Sequence, residues 1–177
     1  MKWKLNISAA MLALVLLGLA GIWLSAPRPL DAEVEARQAP ALWATHLEEV
    51  ELALATGDRV RAVRAWTNAW TAALASRRWQ PLIDVGDAAL RVGDATASTS
   101  IGQVNARQAY RAALIRARAQ RSVDGVLRAA ESFAALGDRH VTEGALDSAR
   151  KLATGDVTVR ARVETDAARI AARVVVQ

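Results

Sequence analysis

The chain has 177 residues, no cysteine and a formal charge of +5, with hydrophobic residues at 53% of positions and aromatics at only 5%. The missing cysteines exclude disulfides, thiolate metal sites, cysteine-attached haem and a lipid-modified N-terminal cysteine. Without its first 26 residues the chain keeps 151, enough for one ordinary domain, and 21 basic residues then face 18 acidic ones, a balance of +3 that does not point to nucleic acid.

The N-terminus opens on Trp3 to Leu24, and between Leu5 and Leu24 there is no charged residue. Twenty helical residues at about 1.5 Å each reach roughly 30 Å, the thickness of a bilayer hydrocarbon core. Trp3 and Trp23 lie near the two ends, where indole rings favour the membrane–water interface. Small residues four apart, Ala9/Ala13 and Gly21/Ser25, suit close helix packing within a membrane, and Asn6 or Ser8 can bond across helices there. Lys2 and Lys4 precede the run, which predicts a cytoplasmic N-terminus and an extracytoplasmic remainder. In a double-membrane bacterium that means a single-pass protein of the inner membrane with a periplasmic domain. The competing reading is a cleaved signal peptide, with Gly18-Leu19-Ala20 or Leu24-Ser25-Ala26 as the exit, releasing a soluble periplasmic helical protein that binds a small ligand.

Residues 27–40 contain three prolines and mixed charges, the pattern of an extended tether, and 41–177 form the domain. Abundant alanine, single Phe and Tyr residues and the absence of alternating β-branched runs predict an all-α fold. Trp43, Leu47, Val50 and Leu54 mark the first helical face, and Val60, Val63, Trp66, Trp70 and Leu74 the second, closed by Arg77 and Arg78 at the negative end of the helix dipole. Pro81 opens a third helix with Leu82, Val85, Ala89 and Val92; Ser98 or Ser100 caps a fourth bearing Ile101, Val104, Tyr110 and Leu114. Ser122 caps a fifth with Val126 and Phe133, a sixth carries Val141, Ala145 and Leu152, and a seventh runs from about Val157 through Val163 and Ile170. Gly-Asp pairs at 57–58, 93–94, 137–138 and 155–156 read as helix stop plus next cap. About seven helices with short connections therefore fold as antiparallel hairpins behind one membrane helix.

The segment Tyr110 to Asp156, with small residues Ala113, Ala117 and Ala130 and bulky Phe133 and Leu136, resembles degenerate tetratricopeptide-type repeats, and Ala62 to Ala73 has the same texture. The helix-ending proline of that family is missing. The resemblance implies an α-solenoid that binds proteins through a concave face; an irregular helical bundle is the alternative. An anchor followed by such repeats is also similar to bacterial ancillary subunits beside translocons and assembly machines.

No residue pattern points to catalysis, a cofactor or a metal. His46 and His140 fall in different helices without HExxH spacing, and neither a nucleophile elbow nor a phosphate loop occurs. Trp66, Trp70 and Trp79, with Arg77 and Arg78 beside the last, are either core fillers or an aromatic–arginine interface centre; Trp79 with its arginines could also dip toward lipid headgroups. The basic stripe Arg107, Arg111, Arg118 and Arg121 is a solvated face, or meets an acidic partner or anionic lipid. The expectation is a non-catalytic, membrane-anchored scaffold or accessory subunit of a multisubunit membrane complex, either translocation and assembly machinery or a respiratory or photosynthetic assembly, with the bilayer and a membrane or periplasmic protein complex as partners and no nucleic acid.

Overall fold

The computed structural model describes residues 41–175, which form seven helices: α1 (Leu42–Ala55), α2 (Arg59–Ala75), α3 (Gln80–Ala95), α4 (Thr99–Ala119), α5 (Val123–Ala135), α6 (Arg139–Leu152) and α7 (Val157–Val175). No strand occurs among the described residues. The apolar run with Trp3, Asn6, Ser8, Ala9, Ala13, Gly21, Trp23 and Ser25, and the 27–40 tether, lie outside them. No helix among the described residues is long and apolar enough to cross a membrane.

The helices end by one repeated device. After α1, α3, α4 and α5 a single residue turns left-handed: Gly57 (φ 72°), Ala97 (φ 55°), Arg121 (φ 52°) and Gly137 (φ 73°). The next N–H then reaches back five residues, Asp58 to the Ala53 carbonyl at 2.9 Å, Ser98 to Gly93 at 2.8 Å, Ser122 to Ala117 at 2.9 Å and Asp138 to Phe133 at 3.0 Å. These are Schellman closures, which satisfy carbonyls the helix leaves unpaired. The residue that closes one helix also stands at the N-cap of the next. Asp58 accepts from the Arg61 N–H at 3.0 Å and Ser122 from the Gly125 N–H at 3.1 Å.

Gly57, Ala97 and Gly137 stand forty residues apart, and this is the true period of the chain. It is longer than the 34 residues of tetratricopeptide repeats. Small buried residues keep the same register: Ala62, Gly102 and Thr142; Ala69, Ala109 and Ala149; Ala73, Ala113 and Ala153. Three hairpins, α1–α2, α3–α4 and α5–α6, are thus followed by a single helix, an arrangement compatible with a repeat-like solenoid. Consecutive helices pack on one another, and α1 also touches α3, α3 touches α5 and α5 touches α7. The odd-numbered helices therefore form one continuous layer, against which the even-numbered ones lie.

Three expectations need correction. Gly93-Asp94 is no helix stop: it lies inside α3, where a Cβ on Gly93 would come within 2.7 Å of the Gly102 Cα, so this glycine serves a backbone-to-backbone crossing of α3 and α4. The stripe expected on α2 is rotated. Ala62, Ala65, Ala69 and Ala73 are the buried face, while Val60 is 72% exposed and Val63 45%. Ile101 and Val104 are likewise exposed on α4, because alanine and glycine let helices approach closely where larger aliphatics would hold them apart. Finally, the α2 C-terminus is not served by Arg77 and Arg78. Arg116 of α4 donates to the carbonyls of Ala73 at 3.1 Å, Leu74 at 2.7 Å and Arg78 at 3.2 Å, placing a cation where the α2 dipole is negative.

The main core runs from Ala69 to Ile170, and a smaller cluster of Val50, Ala53, Ala62, Ala65, Ala88 and Val92 fills the first hairpin. Tyr110 and Phe133 are its largest buried side chains and meet edge to face, with ring centroids 5.9 Å apart. Burying Phe133 contributes about 2–3 kcal/mol by area alone.

Candidate functional site

Trp66 and Trp70 sit one turn apart on α2 and stack with ring planes 7° apart and centroids at 6.4 Å. Both are half-buried. The Trp66 Nε1–H donates to the Val85 carbonyl of α3 at 2.9 Å, and its ring packs against both core clusters. Trp79, just before α3, takes another place: its indole lies on Gly125, where an added Cβ would fall 2.8 Å from the ring. These indoles tie α2 to α3 and the start of α3 to α5, and each remains half-buried. Arg77 and Arg78 beside Trp79 are exposed. Their backbone is held, since the Arg77 carbonyl accepts from Gln120 at 2.8 Å and Arg77 itself is left-handed at φ 56°. The result is a corner, formed by the α2–α3 turn and the end of α4, that presents two arginines beside a half-buried indole.

The most organised polar constellation lies along the odd-helix layer and was not legible from sequence patterns. Glu51 of α1 pairs with Arg91 of α3 at 2.6 Å, Asp87 of α3 with Arg128 of α5 at 3.2 Å, and Asp124 of α5 with Arg162 of α7 at 2.6 Å. Glu131 accepts from Arg169 and Arg173 of α7, both at 2.9 Å. Each rung joins a helix to the next odd-numbered one. The buried Tyr110 hydroxyl donates to Asp87 at 2.7 Å, and burial together with that carboxylate pushes the phenol above its usual range. Hydrogen bonds from Arg169 and Arg128 hold Glu131 below the ordinary carboxylate value, against some burial. Burial, and then the nearby Asp87, raise Asp84, with Arg128 and Arg91 opposing. No buried side-chain nitrogen or oxygen among the described residues lacks a partner.

Chemically this ladder is a clamp. The groove it lines between α5 and α7 encloses about 190 Å³, below the roughly 300 Å³ at which small-molecule pockets begin. A wider depression of about 600 Å³ at the α1–α2 turn is lined by Leu54, Asp58, Val60 and Ala95 among others, and Asp58 there already caps α2. His46 lies 3.8 Å from Glu49 on α1, and His140 is exposed on α6, a helix that does not pack against α1. Among the described residues no group of three His, Cys, Asp or Glu side chains is placed to hold a metal ion.

Charge is also sorted among the first five helices, though not in α6, which is mixed, or α7, which carries four arginines against two acids. Helices α2 and α4 carry seven arginines (59, 61, 64, 107, 111, 116 and 118) and no acid, whereas α1, α3 and α5 carry eight acids against Arg91 and Arg128. Counting charge helix by helix would have found this; the near-neutral total conceals it. No protein-family model matches the chain, and searches of curated proteins and of solved structures likewise give no match.

Proposed function

We propose that the protein is a non-catalytic, single-span membrane scaffold whose helical-hairpin domain lies on the periplasmic side of the inner membrane and binds other proteins of a multisubunit membrane complex. The observation that carries this reading is the joining of two features in one chain. A twenty-residue charge-free apolar run, preceded by Lys2 and Lys4, is followed by a forty-residue hairpin array. Such arrays act through extended surfaces, and here the organised polar groups clamp helices together instead of converging on a substrate. In shape the domain belongs with tetratricopeptide-like solenoids, with a longer repeat. Arg77, Arg78 and the half-buried Trp79 form the proposed protein contact, because their backbone is already held and Trp and Arg are enriched at interface centres.

The test is purification of the full chain from its native membrane in mild detergent, with N-terminal sequencing and identification of co-eluting chains. An intact Met1 or Lys2 and a stoichiometric partner support the scaffold. A start near Gly21 or Pro27 with the chain eluting alone overturns it in favour of a released ligand-binding protein.

A further inference from the structure

The outward faces of α2 and α4 share an unusual composition. Val60, Val63, Arg64 and Leu74 point away from the buried alanines of α2, and Ile101, Val104, Arg111 and Ile115 do the same on α4. Their exposures are 72%, 45% and 39% for Val60, Val63 and Leu74, and 60%, 61% and 66% for Ile101, Val104 and Ile115. The two helices meet at their C-terminal ends, where Arg116 of α4 holds the Ala73 and Leu74 carbonyls of α2 and Gln120 the Arg77 carbonyl of the following turn. Arg64 and Arg111 have no acidic partner among the described residues, and neither helix contains an acid that could supply one. Arg61 and Arg107 of the same helices, by contrast, pair with Glu49 and Asp138, and the charges of the ladder pair across the odd-numbered helices.

We infer that the α2–α4 face docks on an anionic lipid surface. The charge is complementary: cations without counter-charges gain most at a negative surface, and aliphatic side chains between them can enter the headgroup–acyl boundary. The half-buried indoles of α2 pack against the core, Trp66 also donating to the Val85 carbonyl, so the face lacks the central aromatic anchor of a protein hot spot. Chain length permits the arrangement. From Ser25, just past the apolar run, to Ala41 there are 17 residues, which extend to at most about 60 Å. The inference rests on the membrane-anchored reading and adds to it an orientation: the even-helix face toward lipid, the odd-helix ladder and hairpin ends toward partners.

The chain has no cysteine, so single probes can be placed on the full-length protein by Thr67→Cys on α2, Gln108→Cys on α4 and, as a control, Thr165→Cys on α7. The protein is reconstituted into vesicles of phosphatidylcholine alone or mixed with phosphatidylglycerol, and each probe is challenged with a headgroup-nitroxide lipid and with aqueous iodide. With phosphatidylglycerol present, the Thr67 and Gln108 probes should be quenched by the nitroxide lipid and shielded from iodide, and salt should reverse this, while the Thr165 probe stays accessible. Arg64→Gln and Arg111→Gln should each lower the docked-to-undocked ratio roughly fivefold, with unchanged circular dichroism. Equal iodide access at all three probes overturns the proposal, as does shielding that is the same in neutral vesicles. Shielding found only in native membranes, without nitroxide quenching, overturns it in favour of a protein partner. Release of the chain by alkaline carbonate overturns the anchored reading itself, whereas retention with exposed probes overturns the docking alone.

Discussion

The α3–α4 crossing allows the packing scheme to be tested with one chemical change placed at different sites. A Cβ on Gly102 would sit 2.8 Å from the Ala89 carbonyl oxygen and 2.9 Å from the Gly93 Cα. Carbon atoms rest comfortably at about 3.5–4.0 Å, so α4 must retreat by roughly 0.8 Å. Backbone atoms offer no rotamer through which to yield. Such overpacking costs about 1–3 kcal/mol, while replacing a helical glycine by alanine returns about 1 kcal/mol of propensity. Gly102→Ala should therefore lose up to about 2 kcal/mol, and Gly102→Val about 2–3 kcal/mol, since valine returns less propensity and brings two more methyl groups. Gly144, helical on α6, has nothing within 4 Å of an added Cβ. There the same Gly→Ala change should gain about 0.5–1 kcal/mol. Thermal unfolding followed by circular dichroism reads these as opposite shifts of about 3–5 °C per kcal/mol. If Gly102→Ala stabilises as much as Gly144→Ala, the two backbones do not meet and the central hairpin is wrongly packed.

Other expectations follow from single contacts. Arg116→Met removes the cation that serves three carbonyls at the end of α2; it should cost about 1–2 kcal/mol and speed amide exchange in the last turn of that helix. Ala97 holds a left-handed φ of 55° that glycine adopts freely, so Ala97→Gly should raise the melting temperature by the equivalent of about 1 kcal/mol. Two carboxylates should show opposite pH signatures in melting temperature. Glu131 titrates below its ordinary 4.5 in the folded chain, so its contribution is present above that pH and lost as pH falls through the folded value; Glu131→Gln should therefore destabilise at neutral pH and cease to matter in acid. Asp84 titrates above its ordinary 3.8, so its ionisation opposes folding at neutral pH and that opposition fades as pH falls toward 3.8; Asp84→Asn should stabilise at pH 7 and lose its advantage in acid.

The parts of the fold written in local chemistry were legible. Glycine followed by aspartate at 57–58 and 137–138 encodes a left-handed stop and a cap: both stops stand where expected, and Asp58 caps α2, but the Asp138 carboxylate turns to Arg107 instead. The middle member of the forty-residue series was hidden, because Ala97-Ser98 performs the same turn with a residue that rarely turns left-handed. Gly93-Asp94 imitated the signal while serving a helix crossing. On α2 the eye follows the large apolar residues, but four alanines decide the buried face, because closeness of approach outweighs side-chain size there. The ladder could not be read in advance: Asp87 and Arg128 are 41 residues apart and meet only because α3 and α5 are stacked. The tryptophans could be read as core or interface, and in the structure all three are half-buried and packed against the core.

The proposed role of the array, binding another protein at the membrane, can be tested in cells. Its most direct test places a photoreactive amino acid at Arg78, on the exposed corner beside Trp79, and irradiates intact cells. We expect a discrete, reproducible protein adduct at this position that is lost on Arg77→Glu, an exposed neighbour whose replacement leaves the melting temperature little changed. Irradiation that leaves only the uncrosslinked chain would contradict it.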